Sequence, residues 1–343
     1  MPSNQPLRIS SDVPALSEFS LIDRFFARRA ARAASPVALG IGDDCALIAP
    51  RSGKLLAIST DMLVEGRHFF ADVAPGALGH KALAVNLSDL AAMGAEPRAF
   101  TLACALPRAD EAWLAAFSDG LFALADRYGC ALIGGDTTSG PLNLCITVFG
   151  DVDAGTALRR DAARDGDDVW VSGTLGDARA GLGVARGEWA AGARAAVAFR
   201  AALERPEPRI ALGRALAGVA RAALDISDGL AGDLQHILDR SNVRAEINAD
   251  AVPRSAALAT LAPDVQRRCT LAGGDDYELC FTAPAAARAA VGAAGAAAGV
   301  AVTRIGTIRA LSAPSERPAI AWRDAAGAPL SLTLHGFDHF HAD

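Results

Sequence analysis

A chain of 343 residues has room for two domains, each with its own core. With 51% hydrophobic and only 21% charged residues, the default is a packed chain rather than a disordered one. A net charge of −6 excludes bulk electrostatic binding of nucleic acid, which needs a basic face.

Residues 1–17 are polar and contain proline, and read as a flexible N-terminal extension without a signal-like apolar stretch. Residues 18–30 carry Phe19, Leu21, Ile22, Phe25 and Phe26 at helical spacing and predict a first helix. Then come two acidic stretches. Gly-Ile-Gly-Asp-Asp-Cys-Ala, residues 40–46, places Asp43 and Asp44 after a Gly-x-Gly turn. The apolar run 55–58 meets Ser59, Thr60 and Asp61, which reads as a strand ending in a polar site.

Residues 79–93 predict a helix stopped by Gly94 and Pro97. Asn86 and Asp89 share one face of it, against a mostly apolar background that implies burial. Residues 99–106 predict a strand and 111–128 an amphipathic helix. Residues 130–134 predict a short strand entering the turn Gly135-Asp136-Thr137-Thr138-Ser139-Gly140, and 142–150 a further strand. This is an α/β order with mixed pairing.

Apolar residues thin out over 151–166, where a domain boundary is expected; the division is 18–155 and 156–343. Residues 169–172 predict a strand, and 176–186 and 208–219 predict helices. The stretch Ala-Leu-Asp-Ile-Ser-Asp-Gly-Leu, 223–230, reads as strand, acidic turn, helix, with Asp225, Ser227 and Asp228 in the turn. Taken alone, Asp228 reads as a helix N-cap. A second Gly-Gly-Asp follows at 273–275, then an Ala-rich helix over 284–298 and a strand over 301–308.

The six cysteines form no Cys-x-x-Cys pair and read as buried small hydrophobes in a reducing compartment. No apolar run reaches transmembrane length, so a cytoplasmic protein without membrane contact is expected. No Gly-x-x-x-x-Gly-Lys-[Ser/Thr] occurs, and no Rossmann fingerprint, zinc pattern or Gly-x-Ser-x-Gly elbow. What remains is a set of aspartates on glycine turns beside hydroxyls. A solvated set of turns is the plain alternative for any one of them. Taken together, carboxylates can face a polyphosphate only across cations, and all-oxygen ligation suits Mg²⁺. The residues thus predict an enzyme that binds a nucleotide polyphosphate through several Mg²⁺ ions.

The ordered set Gly-Ile-Gly-Asp-Asp-Cys-Ala, Ser-Thr-Asp-Met-Leu-Val-Glu-Gly-Arg-His-Phe, Lys-Ala-Leu-Ala-Val-Asn-Leu-Ser-Asp, Gly-Gly-Asp-Thr-Thr, Asp-Ile-Ser-Asp-Gly-Leu, Gly-Gly-Asp-Asp-Tyr-Glu-Leu and Gly-Phe-Asp-His-Phe closely resembles the bacterial thiamine-monophosphate kinase family. That family belongs to the aminoimidazole-ribonucleotide synthetase-like superfamily. The resemblance spans residues 18–340. It implies a two-domain α/β fold, with an N-terminal dimerisation domain and a C-terminal domain closing over the nucleotide. It implies direct in-line transfer of the ATP γ-phosphoryl group to thiamine monophosphate, giving thiamine diphosphate. By the same resemblance, Asp44, Ser59, Thr60, Asp61, Asp89, Asp136, Asp225 and Asp228 would hold Mg²⁺, with Asp44, Asp61, Asp136 and Asp228 central to catalysis. Gly135, Asp136, Arg160 and Ser227 would contact ATP; His68, Asp275 and Phe337 would contact the acceptor. Asp275 departs from the commoner Glu, and Phe337 from Tyr or Trp.

Among relatives, selenophosphate synthetase would need a Cys or selenocysteine beside a Lys in an N-terminal Gly-rich loop, which is missing. The hydrogenase-maturation dehydratase would need a C-terminal Cys, where this chain reads His-Ala-Asp. A non-catalytic sensor would be expected to lose some of the aspartates, and all are present.

Overall fold

The computed structural model describes residues 18–30, 37–42, 45–313, 315–332 and 334, with the backbone alone at Glu18 and Phe19. The first helical run is α1 (Glu18–Leu21), a π-helical stretch Ile22–Ala27 and α2 (Arg28–Ala30). Its Phe25 and Phe26 are buried in the main core, as their spacing predicts. Short strands β1 (Val37–Leu39) and β2 (Leu47–Ile48) pair antiparallel.

The first lobe is built from β3 (Lys54–Val64), α3 (Pro75–Ala92), β4 (Glu96–Leu106), α4 (Glu111–Tyr128), β5 (Ala131–Ser139) and β6 (Asn143–Asp153). The strand order is β3-β6-β4-β5, with only β4 and β5 parallel. Helix α4 starts on Asp110, whose carboxylate accepts from the Ala112 and Trp113 amides, and ends on left-handed Gly129. Helix α3 is buried nearly all round, including Lys81, Asn86 and Ser88.

Two expected turns are strand instead. β3 runs through Ser59, Thr60 and Asp61, and β5 through Gly134–Ser139. Their polar residues do not end the strands because each strand lies at a sheet edge, where polar side chains reach a site or solvent. Gly135 is required by packing: a Cβ there would sit 1.8 Å from the Leu102 carbonyl oxygen, and φ is +149°.

The second lobe contains β7 (Asp167–Ser172), α5 (Asp177–Ala185), α6 (Ala193–Glu204), α7 (Ile210–Leu216), β8 (Ala223–Asp225), α8 (Leu230–Ser241), β9 (Arg244–Asn248), α9 (Pro263–Ala272), β10 (Leu279–Pro284), α10 (Arg288–Ala298), β11 (Val302–Arg309) and β12 (Ile320–Arg323). Its six-stranded sheet has the order β12-β9-β11-β7-β10-β8. Alternation along β10 sends Leu279, Phe281 and Ala283 into the core shared with the first lobe, and Cys280 into the second core under α8. The lobes meet tightly at α7, where a Cβ on Gly213 would lie 2.0 Å from the Ala91 carbonyl oxygen of α3.

All six cysteines are free; Cys104, Cys130, Cys269 and Cys280 are buried, Cys145 is half-buried and Cys45 is exposed. Among the described residues no helix is long and apolar enough to cross a membrane.

Candidate active site

Period-two geometry sorts the Ser-Thr-Asp motif. Ser59 and Asp61 point toward α3, where the Ser59 hydroxyl donates to Asp89 Oδ2 at 2.5 Å and the Asp61 amide donates to Asn86 Oδ1 at 3.1 Å. Thr60 points the other way and shares a 2.8 Å hydrogen bond with Thr147 on β6. The structure thus turns the Thr60 hydroxyl away from the Ser59 and Asp61 side chains.

From the second lobe, β8 ends on buried Asp225, and the turn through Ser227 and Asp228 leads into α8. Asp233, in the first turn of α8, folds back to accept the Asp228 amide at 3.0 Å and pins that turn. Asp61, Asp89, Asp225, Asp228 and Asp233 form one electrostatic cluster. Burial, then the charges of Asp89 and Asp228, pushes the Asp61 carboxyl up to about 6. Burial, then Asp89, pushes Asp225 up to about 8, and burial raises Asp233 to about 7. Burial also raises Asp89, against the opposing pull of the Ser59 hydrogen bond and the Arg160 charge. These are carboxylates brought together with too little positive charge among them.

Arg160 supplies part of that charge, lowering both Asp89 and Asp233. It borders an open cavity of about 410 Å³ with Met93, Arg159, Asp161, His236 and Arg240. His236 and Arg240 lie on α8 at three and seven residues beyond Asp233, hence along one face. A basic wall therefore stands beside the acidic cluster.

His68 follows β3 in a tight loop. Its Nδ1 accepts the Val64 amide at 2.9 Å, so the neutral ring carries its proton on Nε2. Asp275 lies in the loop between α9 and β10, at φ +66°, and Tyr277 two residues on has φ +51°. The loop is held to the acidic turn by the amides of Asp275 and Tyr277, which donate to the carbonyls of Ser227 and Ile226, both at 2.8 Å. Lys81 reaches this loop from α3, 2.8 Å from Asp275 Oδ1.

Gly135 and Asp136 stand apart. Cross-strand pairing aligns Asp61, Ile146, Leu102 and Gly135 in one row over four strands. Asp136 is next to that row, aligned with exposed Ala103 on the sheet's open face. Three strand spacings put it about 14 Å from Asp61, on the opposite face of the same sheet. Asp44 and Phe337 lie outside the described residues. Among the described residues no three His, Cys, Asp or Glu side chains converge as one metal ligand set.

Two family models match in tandem: AIR synthase related protein, N-terminal domain, over residues 42–152, and AIR synthase related protein, C-terminal domain, over 164–314. The thiamine-monophosphate kinase of Salmonella typhimurium is 47% identical over 95% of this chain and 99% of its own length. The chain belongs to the thiamine-monophosphate kinase family. The crystal structure of the thiamine-monophosphate kinase from Stenotrophomonas maltophilia K279a matches with a TM-score of 0.81 and 46% identity, covering 92% of this chain and 98% of that one. AaThiL complexed with AMPPCP and TMP matches with a TM-score of 0.73 and 28% identity, over 95% and 97% of the two chains.

Within this family frame, sequence reasoning missed Lys81, Asp233, His236, Arg240 and Tyr277 as neighbours of the site. Lys81 had one signal: it is one of only two lysines, set in an apolar helix. Asp233 had none, since an aspartate in the first turn of a helix is ordinary.

Proposed function

We propose that this chain transfers the γ-phosphoryl group of ATP directly to the phosphate of thiamine monophosphate, giving thiamine diphosphate and ADP. The observation that carries the reading is the acidic cluster of Asp61, Asp89, Asp225, Asp228 and Asp233 with a basic wall at Arg160 beside it. The full-length kinship to thiamine-monophosphate kinases, one of them complexed with AMPPCP and TMP, supplies the substrate pair.

The donor set fits Mg²⁺: it is all oxygen, and its carboxyl groups are raised by burial and mutual repulsion, which a cation among them relieves. Mg²⁺ keeps several waters and is held through one or two carboxylates plus phosphate oxygens, so three converging carboxylates are not required. Ser59, Asp61, Asp89, Asp225 and Asp228 would hold such ions, with Asp44 as a further candidate. Ions held there would supply the positive charge that offsets phosphate charge on donor and acceptor.

The chain's own groups do the rest. Arg160 faces the nucleotide phosphates. His68 offers an Nε2 proton, a hydrogen-bond donor suited to the acceptor phosphate. The acceptor oxygen is already ionised near neutral pH, so no side chain need remove a proton. Phe337 is assigned to stack on the cationic heterocycle.

A homodimer and a cytoplasmic location complete the reading. Leu56, Ile58 and Met62 are about half exposed on the open face of edge strand β3. Asp136 lies on this same face, at the other edge. A second copy seated there would cover the apolar residues and bring its own polar edge near Asp136.

The test is ADP release with ATP and Mg²⁺, comparing thiamine monophosphate and thiamine as acceptors. Turnover with the former alone is expected. Equal turnover with thiamine overturns the acceptor assignment, since a hydroxyl acceptor would need a general base.

A further inference from the structure

Lys54 and Lys81 are the chain's only lysines. Lys54 begins β3 at the surface, paired with exposed Asp153. Lys81 is different: its side chain is 3% exposed, in the second turn of a buried helix. Its Nζ donates to Asp275 Oδ1 at 2.8 Å and to the His68 carbonyl oxygen at 3.2 Å. One ammonium therefore joins three segments and both lobes: α3, the loop after β3, and the α9–β10 loop.

An ammonium is retained in a buried place only where its charge and donors are satisfied, and here both partners are residues assigned to the acceptor. The Asp275 carboxylate also accepts from the Tyr277 hydroxyl at 3.4 Å, on the same Oδ1. That leaves Oδ2 without a hydrogen bond among the described residues. The backbone at Asp275 is left-handed, a conformation that tertiary contacts must hold. Of the groups assigned to nucleotide, Gly135, Asp136 and Arg160 share no hydrogen bond with Lys81 among the described residues, and Ser227 meets the clamp only through its carbonyl oxygen, which accepts the Asp275 amide at 2.8 Å.

We propose that Lys81 is a positioning residue for the acceptor: it locks Asp275 and the His68 loop into one clamp across the lobe boundary. It touches neither substrate. With the lock in place, Asp275 presents Oδ2 and the His68 backbone is held at a fixed separation from it. This rests on the reading of thiamine monophosphate as acceptor. Wild-type formation of thiamine diphosphate tests that reading separately.

The experiment is a steady-state comparison of wild type, Lys81→Met, Asp275→Asn and the double variant, varying ATP and thiamine monophosphate in turn. For Lys81→Met the KM for thiamine monophosphate is expected to rise at least about tenfold, with the KM for ATP nearly unchanged. Because Lys81 acts through Asp275, the double variant is expected to be little worse than the poorer single one. Parallel rises in both KM values, unchanged KM values with a lower Tm alone, or strict additivity in the double variant would each overturn the proposal. Should Lys81→Met fail to fold, Lys81→Gln keeps a donor without the charge, and the same KM comparison decides. If wild type makes no thiamine diphosphate, the function fails. If it does and the KM split is missing, only the clamp fails.

Discussion

Within the acidic cluster, burial and then the charge of Asp89 push the Asp225 carboxyl up to about 8. The ordinary aspartate value is near 3.8, so between the two the folded chain holds a proton that the unfolded chain releases. The metal-free protein must then lose stability as pH rises from the aspartate range through about 8, and Asp61 and Asp233 add to this in the same direction. Thermal melts between pH 5 and 8.5 should show Tm falling in chelator, and Mg²⁺ restoring more at the high end. A Tm in chelator that rises across this range would contradict the cluster. Asp225→Asn should melt higher than wild type at pH 8 without metal, by about 2 °C or more. The same variant should lose phosphoryl transfer by roughly 10²–10³-fold, as expected when a group that stabilises transition-state charge is removed. Asp61→Asn should lose it likewise.

Strand periodicity decides the roles within the Ser-Thr-Asp motif. Ser59→Ala, which strips the hydrogen bond to Asp89, should impair turnover. Thr60→Val should leave turnover close to wild type, because that hydroxyl meets Thr147 on the other face. An inactive, folded Thr60→Val dimer would contradict this. Gly135→Ala should destabilise the first lobe by about 1–3 kcal/mol or more, since a methyl group would overlap the neighbouring strand. Helix α4 was legible end to end, residues 111–128, because Asp110 caps it and Gly129 stops it. The strand–acidic turn–helix unit from 223 was legible for a different reason, the apolar run into Asp225 and the inward spacing of Leu230, Leu234, Ile237 and Leu238. The continuity of β3 and β5 was not, because polar residues on an edge strand look like a turn when the sheet around them is unknown. Helices α6 and α9 and strands β1, β2, β9, β10 and β12 went unread. Ubiquitous Ala blurs helical periodicity over 193–204, and strands of five and four residues carry little alternation.

At the scale of the whole molecule, Asp61, Asp89, Asp225 and Asp228 stand out in the sequence as acidic residues beside glycines and hydroxyls, and Asp233 does not. Asp61 and Asp89 of one lobe meet Asp225, Asp228 and Asp233 of the other, whereas Asp136 stands on the opposite sheet face. No local pattern conveys which motifs the lobe packing brings together. The open face of the first sheet makes a prediction of its own. Ile58→Asp places a charge among Leu56, Ile58 and Met62, and should convert a dimer to a monomer in sedimentation at micromolar concentration. A wild-type chain that sediments as a monomer would contradict the assigned assembly. The most direct test of the central claim follows the phosphoryl group itself. The protein is incubated with Mg²⁺, thiamine monophosphate and ATP labelled in its γ-phosphate, and the products are separated. The label should appear in the terminal phosphate of thiamine diphosphate, one for each ADP formed, with none retained on the protein. Label released only as inorganic phosphate, or bound covalently to the chain, would contradict direct transfer at this site.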